Sequence, residues 1–277
     1  MKAPYASKGF CAMTSTAARH CVFYYGTQIP DMKVTRSWTN CHVVLQSYHP
    51  LVAEGLFEEF FPGARRYLYW DPTQIPHGEK NALGGMLSDL GHDPRWDTLR
   101  LDLRDVSCRR LAVERATALM RVEGVEGLFV DGLDAWAATT AQQEPIVALF
   151  EELRASLPRE PRWFLNRGFP FWRRLPALEA ILLESLWPER FLDSPETELA
   201  WMERMLVLHF ASLRIRHPNV ELYFLRYDDA RVEADSDAAE SLARRERLIS
   251  ELRQFSHRQL SGNRCLDAWP LEVQGMV

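Results

Sequence analysis

The sequence predicts an α/β protein built as a single (β/α)8-type barrel, and three observations predict it. Short β-branched or aromatic runs alternate with longer segments of helical period along most of the chain. No repeat of fixed period and no low-complexity linker interrupts that order. The stretch after the first strand, FYYGTQIP, carries one glycine, where a doubly wound nucleotide-binding fold would place a glycine-rich phosphate turn. The 277 residues suit one barrel domain, expected over 1–277 with its core at about 20–260.

Seven strands are expected: Val22–Tyr25, Val43–Gln46, Tyr67–Trp70, Leu128–Asp131, Trp163–Asn166, Ile181–Glu184 and Leu222–Tyr227. Before the fourth, Ala112, Ala116, Leu119 and Met120 share a helical face, and Gly124 stands where a helix C-terminus turns. Asp102 and Asp105 are expected to cap that helix near Val106. Between the fourth and fifth strands, Ile146, Val147, Phe150, Leu153 and Leu157 form the next apolar face, stopped by Pro158. Leu199, Met202, Leu206, Phe210 and Leu213 make a third helix, and the segment 238–254 a fourth. An eighth strand belongs after Gln254, but FSHRQLSGNRCLDAWPL is poorly strand-like, so an irregular closure is expected there.

Composition narrows the function classes. Hydrophobic residues are 47% and charged residues 26%, enough apolar surface for a sizeable core. Lys and Arg number 33 against 38 Asp and Glu, a net charge of −5, so no global positive field gathers polyanions, and nucleic acid is not an expected partner. The five cysteines form an odd set without a CxxC pair and read as reduced thiols. No apolar stretch has the length of a signal-peptide core or a membrane span, so a cytoplasmic protein is expected.

In a barrel the chemistry sits where strands end, so polar residues that close apolar runs are the informative ones. GLFVDGLDAW closes on Asp131, with Asp134 three residues on; WFLNRGF closes on Asn166; AILLESLW closes on Glu184; LYFLRYDD closes on Tyr227 and Asp228. Asp before Gly and Asn before Arg-Gly are also ordinary turn residues, and Asp134 is expected to cap the helix that follows or to bond within its loop. Glu184 is different, because a carboxylate that ends an Ile-Leu-Leu run is partly desolvated unless a site employs it. Two carboxylates at the mouths of the fourth and sixth strands face each other across the barrel top, and glycosidic bond cleavage requires such a pair. Tyr24, Tyr25, Tyr69, Trp70, Trp136, Trp187 and Tyr227 stand near the same loops and suit sugar faces or loop anchoring.

GLFVDGLDAW, FLNRGF and ILLESLW, in this order and spacing, resemble the barrel of glycoside hydrolase family 114, the endo-α-1,4-polygalactosaminidase group, over roughly residues 22–227. The resemblance implies a retaining, endo-acting hydrolase of α-linked, galactosamine-rich polysaccharide with no cofactor and no metal. It makes Asp131 and Glu184 the catalytic pair, with Asn166 and Arg167 beside them, and CVFYYG, similar to the family's opening strand, puts Tyr25 at the site. Asp131 is the expected nucleophile and Glu184 the expected general acid/base. Asp71, Asp134, Tyr227 and Asp228 complete the expected substrate contacts, the aspartates by attracting a cationic amino sugar. Two departures stand out. The family often follows its third strand with a Gly-Glu pair, where this chain has Trp70, Asp71 and Pro72, so a binding role there depends on Asp71 substituting. The family usually works outside the cytoplasm, so a periplasmic or extracellular site is the alternative location. The rival reading is a catalytically silent barrel that binds glycan or a partner protein in an exopolysaccharide system. A metal-dependent hydrolase is disfavoured, because none of the eight histidines lies in an HxH or HExxH spacing.

Overall fold

The structure, a computed structural model, describes residues 21–36, 38–79, 89–94, 96–136, 139–184, 207–227 and 257–262. The chain opens with β1 (Cys21–Tyr24), α1 (Met32–Thr35), β2 (His42–Leu45), α2 (Pro50–Ala53), α3 (Phe57–Phe60) and β3 (Arg65–Trp70). Three short strands follow, β4 (Gln74–Pro76), β5 (Asp89–Asp93) and β6 (Thr98–Leu101). Then come α4 (Val106–Met120), β7 (Gly127–Val130), α5 (Thr140–Ser156), β8 (Arg162–Asn166) and β9 (Leu178–Glu184). A helix at 207–216 leads into β10 (Glu221–Tyr227), and β11 (His257–Gly262) ends the described chain.

Eight strands form one sheet in the order β1-β2-β3-β7-β8-β9-β10-β11, every pair parallel. Strands far apart in that order still touch. Phe23 of β1 meets Phe164 of β8 at 5.6 Å between ring centroids, and His42 of β2 meets Tyr223 of β10 at 5.6 Å. Such contacts require the sheet to roll on itself, and the result is a nearly closed barrel of the predicted class. Alternate residues divide between two apolar layers. Phe23, Val44, Tyr67, Phe129, Phe164 and Tyr223 fill the lumen, with Ala180 and Leu182 of β9. Val43, Leu45, Leu68, Leu128, Leu165 and Ile181 face outward, where Ala112, Ala116, Ile146 and Leu153 of the helices cover them.

Asp105 caps α4 as expected, accepting from the Ser107 amide at 2.8 Å, whereas Asp102 holds Arg104 through its amide and guanidinium. Thr139 caps α5. Asp134 does not hold that position and lies in a 3-10 turn over Leu133–Trp136. Two further differences from the sequence reading concern polar strands. β4, β6 and β5 form an antiparallel three-stranded insert after β3 that no long alternation announced, because QIP and TLRL are three and four residues long and DLGHD is mostly polar, although Ile75, Leu99 and Leu101 are buried in the core. The poorly strand-like segment forms a regular strand, β11, which pairs with β10 in unbroken register from Leu222 opposite His257 to Tyr227 opposite Gly262, while among the described residues no pairing of β11 with β1 completes the closure. The helix expected over 238–254 and the first half of the helix begun at Leu199 lie outside the described residues. Cys21, Cys41 and Cys108 are buried thiols. Among the described residues no helix is long and apolar enough to cross a membrane.

Candidate active site

Parallel register brings the ends of β3, β7 and β8 side by side. Trp70 is opposite Val130, Val130 is opposite Leu165, and the Asp131 amide donates to the Trp70 carbonyl at 3.1 Å. Asp71, Asp131 and Asn166 therefore emerge together on one rim, the C-terminal one.

The Asp131 carboxylate accepts hydrogen bonds from three directions. Oδ1 takes the Gly132 amide at 2.8 Å and Asn166 Nδ2 at 2.9 Å, and Oδ2 takes the Tyr69 hydroxyl at 3.0 Å. Its donors come from β3, β8 and its own loop, so the carboxylate is held in one orientation by three elements. Asn166 is buried and does both things its sequence allowed, since its side chain serves Asp131 while its backbone leads into a turn with Arg167 at φ +55° and Gly168 at φ +63°. The sequence reading took Tyr69 only as a sugar-facing or anchoring aromatic. Its parity with Tyr67, a lumen residue, was the available sign that its hydroxyl rises through the barrel toward the rim. Burial first, then the Asp131 and Asp71 carboxylates, push the Tyr69 hydroxyl far above its usual range, so it remains a donor at any working pH. Tyr25 packs edge-on against Tyr69, with ring centroids 5.4 Å apart.

Asp71 lies beneath the same loop. Its Oδ1 accepts from the Thr73 amide at 2.8 Å and pairs with the Thr73 hydroxyl at 2.6 Å. Burial and the neighbouring Asp131 charge raise its carboxyl to about 7, against the lowering effect of the two Thr73 bonds. Stability follows from that direction. A carboxyl that binds its proton more tightly in the folded state than at its unfolded value near 3.9 contributes stability below about pH 4, and loses it as pH rises toward about 7. Asp71→Asn keeps an oxygen for Thr73 and removes the titration. The variant is expected to gain thermal stability over the wild type at about pH 8, with little gain at about pH 5; equal shifts at both would contradict the assignment.

Gly132 sits at φ +74°, and a Cβ there would lie 2.4 Å from Asp71 Oδ1. Both observations demand glycine, so the Asp-Gly pair is more than a turn signal. Gly132→Ala is expected to cost about 1–3 kcal/mol of stability and to lower turnover, because Asp71 and Asp131 must both shift. Thermal melts and a steady-state assay would show it, and wild-type values in both would refute the crowding argument.

Asp134 Oδ2 forms an ion pair with Arg167 Nε at 2.7 Å, and its Oδ1 accepts from the Gly168 amide at 3.3 Å. It thus clamps the turn after β8, where helix capping was one expectation. A cleft of about 600 Å³ runs along this loop, lined by Gly132, Asp134, Trp136 and Arg167 from the barrel and by Gln74, Arg100 and Leu101 from the insert, with Arg104 just beyond it. The insert residues were not foreseen, since no sequence signal placed a second sheet over the barrel mouth. Glu184 ends β9 opposite Leu225, two positions past the lumen residue Leu182, but its side chain lies outside the described residues. The same is true of the Tyr227 side chain and of Asp228. Among the described residues, the group of three with metal-ligand spacing is His77, His92 and Asp97, on the insert and not around Asp131.

No protein family and no curated protein matches the chain. Solved structures do. The glycoside hydrolase domain of PelA from Pseudomonas aeruginosa is 22% identical over 90% of this chain and 96% of that one, with a TM-score of 0.63. Ega3 of Aspergillus fumigatus, solved in complex with galactosamine, is 12% identical over 91% of this chain and 93% of that one, with a TM-score of 0.55. The barrel described here is thus similar, over nearly its whole length, to the fold of glycoside hydrolase domains, the likeness that the three strand-end motifs had pointed to.

Proposed function

We propose that the protein is a retaining, endo-acting glycoside hydrolase of α-linked, galactosamine-containing polysaccharide. The observation that carries this reading is the Asp131 carboxylate, fixed by Tyr69, Asn166 and Gly132 on the rim of a barrel and next to an open cleft. An acceptor-only group oriented by three donors suits attack at an anomeric carbon, since little reorganisation is needed at the moment of reaction. Glu184, at the end of β9, supplies the second carboxyl. It protonates the departing glycosidic oxygen as Asp131 forms the glycosyl ester, then takes a proton from the water that cleaves that ester. Asp71, its carboxyl raised to about 7, carries less charge near neutral pH than an ordinary aspartate and so limits the charge that accumulates beside Asp131.

One observation widens the substrate. Asp134 is paired with Arg167, and Asp71 titrates near 7, so two of the aspartates expected to attract a cationic sugar offer less charge than their number implies. Arg100 and Arg104 stand by the cleft with partners of their own, Asp93 and Asp102. N-acetylated as well as free amino sugars suit such a surface. The test is a product assay on galactosamine polymers of graded deacetylation, with chitosan and a neutral α-glucan as controls. Oligosaccharides released from the galactosamine polymers alone support the proposal. Release from none of these substrates leaves a glycan-binding barrel as the better reading.

A further inference from the structure

The insert over the barrel mouth brings together three side chains that the sequence keeps apart. His77 follows β4, His92 lies on β5 and Asp97 precedes β6, the central strand of the three. Register explains the meeting. Pro76 is opposite Thr98, Asp93 is opposite Thr98 from the other side, and the His77 amide donates to the Asp97 carbonyl at 2.9 Å. All three therefore converge at one end of the sheet.

We propose that His77, His92 and Asp97 form a binding site for a borderline divalent transition-metal ion, of which zinc is the type, and that the ion staples the insert across its three strands. One ligand atom from each residue lies within 4.8 Å of the other two. His92 Nε2 is 3.0 Å from Asp97 Oδ1, and His77 Nδ1 is 3.8 Å from the same oxygen. Ligands held tetrahedrally at zinc bond lengths stand roughly 3.3 Å apart, so the two distances bracket the required spacing and small side-chain rotations complete it. The imidazoles are tilted 33° to one another with centroids 4.3 Å apart, and each keeps one ring nitrogen within 3.8 Å of the same Asp97 oxygen.

The donor set selects the ion. Two neutral imidazoles and one carboxylate suit zinc and its neighbours, whereas magnesium prefers an all-oxygen shell and sheds water reluctantly. Three protein ligands leave one position for water. The site belongs to the insert and not to the Asp131 constellation, so it has no part in the hydrolytic step. Its effect is mechanical. Thr73, Gln74, Leu90, Arg100 and Leu101 from this region wall the cleft, and a cross-strand ion ties together one end of a small sheet that Ile75, Leu99 and Leu101 anchor in the core.

The test reads metal binding directly and does not depend on hydrolysis, so it can fail or succeed apart from the functional proposal. The full chain without an affinity tag is stripped with chelator and titrated calorimetrically with zinc chloride, then with magnesium chloride. One zinc per chain is expected, with a raised thermal midpoint, and no magnesium binding. His77→Ala and His92→Ala should each weaken zinc at least about tenfold, the scale of losing even an outer-shell partner. Asp97→Asn should weaken it too; asparagine tolerates the φ of +50° found at this position, so that variant guards against misfolding. Circular dichroism of each metal-stripped variant checks the fold. No saturable zinc binding below about 1 mM, equal binding of magnesium, or zinc binding unchanged in all three variants would overturn the proposal.

Discussion

Asp131→Asn is expected to abolish polysaccharide cleavage, with turnover down by at least about 10³-fold and the fold retained, because the change removes the attacking oxygen while leaving its surroundings nearly intact. The hydrogen bonds explain why folding survives. An asparagine oxygen in the Oδ1 position still accepts from the Gly132 amide and Asn166. The new amide nitrogen faces Tyr69, whose hydroxyl turns from donor to acceptor without moving its oxygen. Turnover and a thermal melt on the same preparation check both halves. Near wild-type turnover in a folded variant would remove Asp131 from the mechanism. Asp134→Asn should cost less, since its carboxylate holds Arg167 and the Gly168 amide and leaves the attack to its neighbour. Equal losses at both positions would mean that the clamp and the nucleophile had been interchanged.

Glu184→Gln is expected to lower polysaccharide turnover by about 10²–10⁴-fold, the usual worth of a positioned acid/base. Its separate role shows in the leaving group. A sugar oxygen departs only when protonated, whereas an activated aryl leaving group departs without help. On an aryl glycoside the first step of the Glu184→Gln enzyme should therefore stay fast, and a burst of released aryl alcohol should precede slow hydrolysis of the glycosyl ester. Asp131→Asn should show no burst with the same substrate. Proton NMR of the first product checks the stereochemistry, since retention requires the α-anomer to appear first from an α-linked chain. Inversion would discard the nucleophile while keeping a two-carboxylate site. Equal loss in the two variants on aryl and polymeric substrates would dissolve the division of labour.

The alternation of strands and helices, the lumen residues and the strand ends were legible in the chain because they are local. Phe129 and Val130 fall on opposite sides of β7 by a period of two, and Asp131 ends the run wherever that strand is placed. The same rule put Asn166 and Glu184 at the ends of β8 and β9. The polar strands were not legible. DLGHD and HRQLSG carry little apolar periodicity, QIP and TLRL are too short to show one, and they become strands because neighbours offer hydrogen-bonding edges.

The partnerships at the rim were decided by tertiary structure. Tyr69 meets Asp131 across 62 positions of chain because β3 lies beside β7 in one register, and a slip by one residue would turn that hydroxyl outward. Asp134 became a clamp rather than a helix cap because the turn after β8 brings Arg167 to 2.7 Å. Asp71 holds its proton more tightly than an ordinary carboxyl because folding buries it and sets Asp131 beside it. The sequence by itself determined which residue types stand at the strand ends; packing determined their partners and proton affinities, because both depend on distances between residues far apart along the chain and on the water that folding removes.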